Sequence, residues 1–270
     1  MQKKLSYISI FILLTIFVTG QYIGTHQAYA DDDDHYKKHS REYHDDDDHD
    51  HDDDDDHYHD HDHDEYYGRN NSKKYIGFDK GNMHRHIENL QKEWAYIKYQ
   101  LSDEKQQIRG FKRLSRYAQK VSKSYEYNSE PKIWQGIILS TLAGVDGGFG
   151  ALNMVNKAKA LFEQAIEQNA NALDGAAYTS LGALYYQVPS WPISFGSNKK
   201  AREYLEKSLQ LNPDGIDSNY FYADFLLQDG KKDEARKYFE KALRAPVRPN
   251  RPLADEGRRG EINTALSEMS

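Results

Sequence analysis

The stretch AREYLEKS at residues 201–208 returns as ARKYFEKA at residues 235–242, 34 residues later. Ala201, Leu205 and Ser208 fall on Ala235, Phe239 and Ala242. An earlier copy places Ala158, Phe162 and Ala165 in the same pattern. Each copy has a small residue, a large apolar residue four later and a small residue three after that. On a helix these positions share one face. The small residues let a neighbouring helix approach, and the large one fills the gap between helices. Asn212-Pro213 stops the helix after one copy, and Asn169-Ala170 stands at the matching place after the copy before it.

Each of the last two copies has a partner helix upstream. Leu181-Gly182 with Tyr185 opens one hairpin, and Tyr222-Ala223 with Leu226 opens the next. Asp229-Gly230 supplies the short turn of the last hairpin, where glycine takes a left-handed conformation readily. The hairpin before it is seven residues longer, and the excess lies in QVPSWPISFGS, residues 187–197. The hairpin containing Trp134 carries GVDGGFGALN, residues 144–153, which reads as a second long turn.

Towards the N-terminus the helical period continues. Ile87, Leu90, Trp94, Ile97 and Leu101 form one stripe. Asp103 with Gln106 has capping-box spacing and opens a helix through Phe111, Leu114, Ala118 and Val121. Pro131 marks another helix start. Beyond the Pro-punctuated stretch 246–252, a last helix over about 254–268 is expected to cap the end of the stack. Residues 75–270 therefore read as an all-α solenoid of antiparallel helical hairpins.

A beat of 34 residues with this pattern resembles the tetratricopeptide repeat (TPR), over about residues 103–245. The resemblance implies stacked hairpins and a concave face that docks a protein or peptide. The lack of any catalytic constellation makes an enzyme unexpected. The segments WQGIILST, DGGFGAL, AYTSLGALYYQVPSWPISFG and RPNRPLADEGRR resemble an uncharacterised periplasmic subgroup of TPR proteins. More distantly, the chain is similar to the T-component of TRAP transporters (TatT-like). That alternative implies an accessory subunit of a solute transporter, with the acidic stretch described next serving only as a spacer.

The first thirty residues read as a secretion signal. Lys3 and Lys4 precede an apolar run from Leu5 to Val18, and Ala28-Tyr29-Ala30 offers a cleavage site. The run is short for a membrane span of about 20 residues, so no stable span is expected after cleavage. An exported protein, periplasmic or secreted, follows as the expectation.

The net charge of −7 hides a split. Residues 31–72 hold seventeen Asp and two Glu against four basic residues, for −15, whereas residues 73–270 carry +6. Residues 31–74 lack the apolar residues that could offset the entropy of ordering a backbone, so they read as a disordered tail. Nucleic acid is not an expected partner of an exported chain with this charge.

Nine of the twelve His lie between His35 and His63. His57, His59, His61 and His63 alternate, so in an extended segment neighbouring imidazoles point the same way. With His44, His49 and His51 they form the candidate metal site, suited to zinc, nickel or copper. A flexible ligand set without supporting contacts implies low affinity. Protons compete with metal as pH falls below about 7. His84 and His86 are expected to lie on a polar helix face.

No required cofactor is expected. Cysteine is absent, which removes disulfides, thiolate sites and a Cys nucleophile. No G-x-S-x-G or H-E-x-x-H motif occurs, and Asp146-Gly147-Gly148-Phe149-Gly150 lacks the Lys-Ser/Thr of a phosphate loop. Thr179, Tyr186, Trp191, Asn219, Tyr220 and Asp224 are the candidate partner groove, because aromatics with polar tips suit a surface that binds and stays wet. Arg244, Arg248, Arg251, Arg258 and Arg259 read as a solvated basic face, or a resting place for the acidic stretch.

Overall fold

The computed structural model describes residues 81–270. The signal, the Asp/His tail with its candidate metal ligands, and residues 75–80 lie outside the described residues. Among the described residues there are nine α-helices and no β-strand. They are α1 (Met83–Gln100), α2 (Glu104–Ser124), α3 (Ser129–Asp146), α4 (Gly148–Asn169), α5 (Ala176–Gln187), α6 (Asn198–Leu211), α7 (Ile216–Gln228), α8 (Lys232–Leu243) and α9 (Pro252–Glu268).

Local sequence sets most of the boundaries. The Asn82 side chain accepts from the Arg85 amide at 3.0 Å, and that of Asp103 from the Gln106 amide at 2.8 Å. Ser197 does the same for Lys200 at 3.3 Å. Each satisfies one of the amides that a helix N-terminus leaves without a partner. Pro252 begins α9, where its missing N–H costs nothing.

Consecutive helices pair into four hairpins: α1/α2, α3/α4, α5/α6 and α7/α8. The first helices of the hairpins also touch in series, α1 to α3, α3 to α5 and α5 to α7. The fold is a TPR-like all-α solenoid, with α1, α3, α5 and α7 lining its concave face. All nine residues of the three repeated patterns are fully buried. Their large members meet glycines on the partner helix. A Cβ at Gly136 would lie 2.6 Å from the Phe162 ring, and one at Gly182 would lie 2.7 Å from Leu205 Cγ. Ala223, also without exposed surface, stands in the equivalent place in α7.

Two expectations are corrected. The stretch 144–153 is not a long turn: α3 runs to Asp146 and α4 begins at Gly148. Gly147 and Gly148, at φ 62° and 67°, make the reversal together, and the surplus residues lengthen the two helices. The terminal helix is more than an end cap. It packs on α8, and also on α7 and on α1, the first helix of the stack.

Candidate functional site

On the concave face the α7 side chains of Asp217, Tyr220 and Asp224 lie at intervals of three and four, which puts them on one side of the helix. Tyr186 of α5 donates its hydroxyl to Asp224 Oδ2 at 2.6 Å, and Gln228 Nε2 donates to the same oxygen at 3.2 Å. Asp224 is buried, and its Oδ1 has no hydrogen-bond partner. Burial raises the Asp224 carboxyl above its ordinary value, even though the Tyr186 hydrogen bond and Arg258 oppose the shift. Burial and the Asp224 charge push the Tyr186 phenol well up as well.

Helix α9 lies over this surface. Arg258 stacks on the rings of Tyr220 and Phe221, 4.1 and 4.8 Å from their centroids. Its Nε donates to Asp217 at 3.0 Å and its Nη1 to Glu261 at 2.5 Å. Glu261 also pairs with Lys98 of α1 at 2.9 Å. Asp217 takes a second guanidinium from Arg248 at 2.8 Å, and Arg248 in turn holds the buried Asp255. Arg251 lies over the Trp134 ring of α3 at 5.1 Å. Burial disfavours the charge on Asp217, but Arg258, Arg248 and Arg251 outweigh it and hold the carboxyl well below the usual carboxylate range. Burial also opposes the charge on Glu261, and Lys98 with Arg258 outweighs it. Arg248, Arg251 and Arg258 are therefore not a solvated basic face. They are paired with internal acids because α9 folds back over α7.

Of the six groove candidates, Tyr186, Tyr220 and Asp224 come together, under α9. Thr179 bonds the Ser208 hydroxyl at 2.5 Å across the α5/α6 hairpin. It is buried, and that bond to α6 takes up its hydroxyl. Asn219 is fully buried, and its amide donates to the carbonyls of Pro213 and Gly215, both at 2.8 Å, which ties down the start of α7. Trp191 sits 85% exposed on the α5–α6 loop. Sequence reasoning missed Lys98, Tyr99, Asp217, Gly257 and Glu261. Their only local signal was the Arg258–Glu261 spacing on one helix face.

Among the described residues, no group of three or more His, Cys, Asp or Glu could hold a metal ion. His84 is exposed, whereas His86 is buried with its Nδ1 2.6 Å from the Tyr117 hydroxyl, so the pair is not one polar face. Among the described residues no helix is long and apolar enough to cross a membrane.

The Asp224 arrangement predicts an unusual gain. Asp224→Asn keeps an acceptor for Tyr186 and removes a buried charge. Stability should rise by about 1 kcal/mol at neutral pH. Because the folded-state pKa is raised, the carboxyl's stabilising contribution is present below the unfolded value and lost as pH rises through the folded one. The gain should therefore vanish below about pH 4. Urea unfolding at the two pH values measures it.

Residues 193–250, which contain α6 to α8, match the family model of the tetratricopeptide repeat. No curated protein matches the chain.

Proposed function

We propose that this protein is an exported, non-catalytic interaction scaffold whose repeat body docks a partner protein and whose His/Asp tail takes up transition metal. The observation that supports docking is the concave face itself. Rings and carboxylates from successive hairpins converge there, and they receive a helix. The matched repeat supports the same reading, since such repeats generally mediate protein–protein contacts. A periplasmic or secreted location rests on the signal-like N-terminus, and metal uptake rests on the spacing of His57, His59, His61 and His63. The alternative is a TatT-like transporter subunit, in which the same face takes a small solute and the tail is a spacer.

Co-purification of the full chain from its native compartment should recover one protein in stoichiometric amount. Recovery of none would contradict the scaffold reading. Metal uptake has its own test. Titration calorimetry of the signal-free chain with zinc or nickel should show binding that weakens at least tenfold when His57, His59, His61 and His63 are replaced by Ala. It should also weaken as pH falls below about 7. Equal binding by both forms would remove the tail as the metal site.

A further inference from the structure

Helix α9 fits the concave face closely, through a short apolar stripe and a cluster of ion pairs. At Gly257 a Cβ would lie 2.5 Å from the Tyr99 ring, so only glycine lets the helix backbone come this near to α1. One residue on, Arg258 enters between aromatic rings and Asp217. One turn on, Glu261 meets Lys98. The buried apolar residues of α9 are few, Ala254, Ile262 and Ala265, with Met269 just past its end. On the face α9 covers, Tyr99 Oη and Asp224 Oδ1 are buried without partners.

These features make the contact specific without making it strong. Buried ion pairs add little net stability, because desolvation offsets their attraction. Polar atoms left unpaired subtract from it. Burial of large apolar side chains, which makes helix contacts permanent, is concentrated instead inside the hairpins at Phe162, Leu205 and Phe239.

We propose that the concave face is a helix-receiving site that α9 occupies as an internal ligand. An external partner takes its place with an amphipathic helix that offers a guanidinium to Asp217 and, one turn later, a carboxylate to Lys98. Close approach to Tyr99 further requires a glycine before the arginine, as in Gly257-Arg258-x-x-Glu261. The proposal rests on the scaffold reading above and gives the chemical class of its partner. While α9 is docked the site is closed to other chains, so the partner's apparent affinity is reduced by the fraction of molecules that are closed.

The test uses the full chain and two variants that loosen α9 by different means. Glu261→Lys sets a cation against Lys98 and Arg258. Gly257→Ala drives a methyl group into the Tyr99 ring. The probe is a labelled synthetic peptide of residues 252–268. In both variants the amides of 252–268 should exchange hydrogen at least tenfold faster than in the wild type, while α3 to α6 keep their protection. The peptide should bind both variants at least tenfold more tightly than it binds the wild type. A peptide with Arg258→Ala should lose that binding. Two results overturn the proposal: loss of protection throughout the body in both variants, or release of α9 without gain of peptide binding. Failure of the peptide arm with a partner still recovered in co-purification would remove this inference and leave the scaffold reading standing.

Discussion

Phe239→Ala is expected to cost about 3–5 kcal/mol, the range for emptying the site of a fully buried ring. Phe239 has no exposed surface, and its ring packs 5.9 Å from that of Tyr220. It is the large member of the last repeated pattern, between Ala235 and Ala242, which are equally buried. The small neighbours Ala235 and Ala242 carry too little bulk to refill the hole. In a stack of hairpins the damage should be uneven. Hydrogen exchange should accelerate most in α7, α8 and the α9 helix that rests on them, and least in α3 and α4. A loss below 1 kcal/mol would mean that the residue at the heart of the repeat is not a core knob.

Asp217→Ala comes next. It strips the shared carboxylate from Arg258, Arg248 and Arg251 and leaves Arg258 buried with only Glu261. Removing one partner of a buried ion pair costs several kcal/mol because the remaining charge is uncompensated. The Asp217 side chain is 28% exposed, so the low end of the range applies, about 3 kcal/mol. The pH dependence follows from the sign of the shift. Both Asp217 and Glu261 have folded-state values below their unfolded ones. Their contribution is present above about pH 4 and is lost as pH falls through the depressed values. Denaturant titrations between pH 7 and pH 2 should therefore converge for wild type and Asp217→Ala at the acid end. Parallel curves would show that the carboxylate carries no linked stability.

The repeated core was legible because it is local. Ala201, Leu205 and Ser208 sit within one helix, and their recurrence at 34 residues needs no knowledge of the rest of the chain. The α5–α6 insertion was legible too, as surplus between two matched segments. Gly-rich composition misled at 144–153, since two consecutive glycines at positive φ, Gly147 and Gly148, reverse the chain and the rest of the stretch is helical. The concave face was only half legible. Tyr186, Tyr220 and Asp224 follow from the hairpin register, but Thr179, on the same stripe as Tyr186, is engaged by Ser208 of the partner helix, which register does not record. What covers the face was not legible at all. Lys98 and Glu261 are separated by most of the repeat body, and no periodicity records such a contact. The arginines in and just before α9 read as solvent-facing for the same reason, because Asp217, the partner of Arg248 and Arg258, lies 31 and 41 residues away.

The central claim is that a stack of hairpins is closed on its concave side by its own last helix. The chain contains no cysteine, so two can be introduced without a background. Spin labels at exposed Lys92 of α1 and Glu256 of α9 report the contact directly. The account predicts one short, narrow distance between them in the full chain, broadened by Glu261→Lys. A broad or long distribution in the otherwise unaltered protein would contradict it.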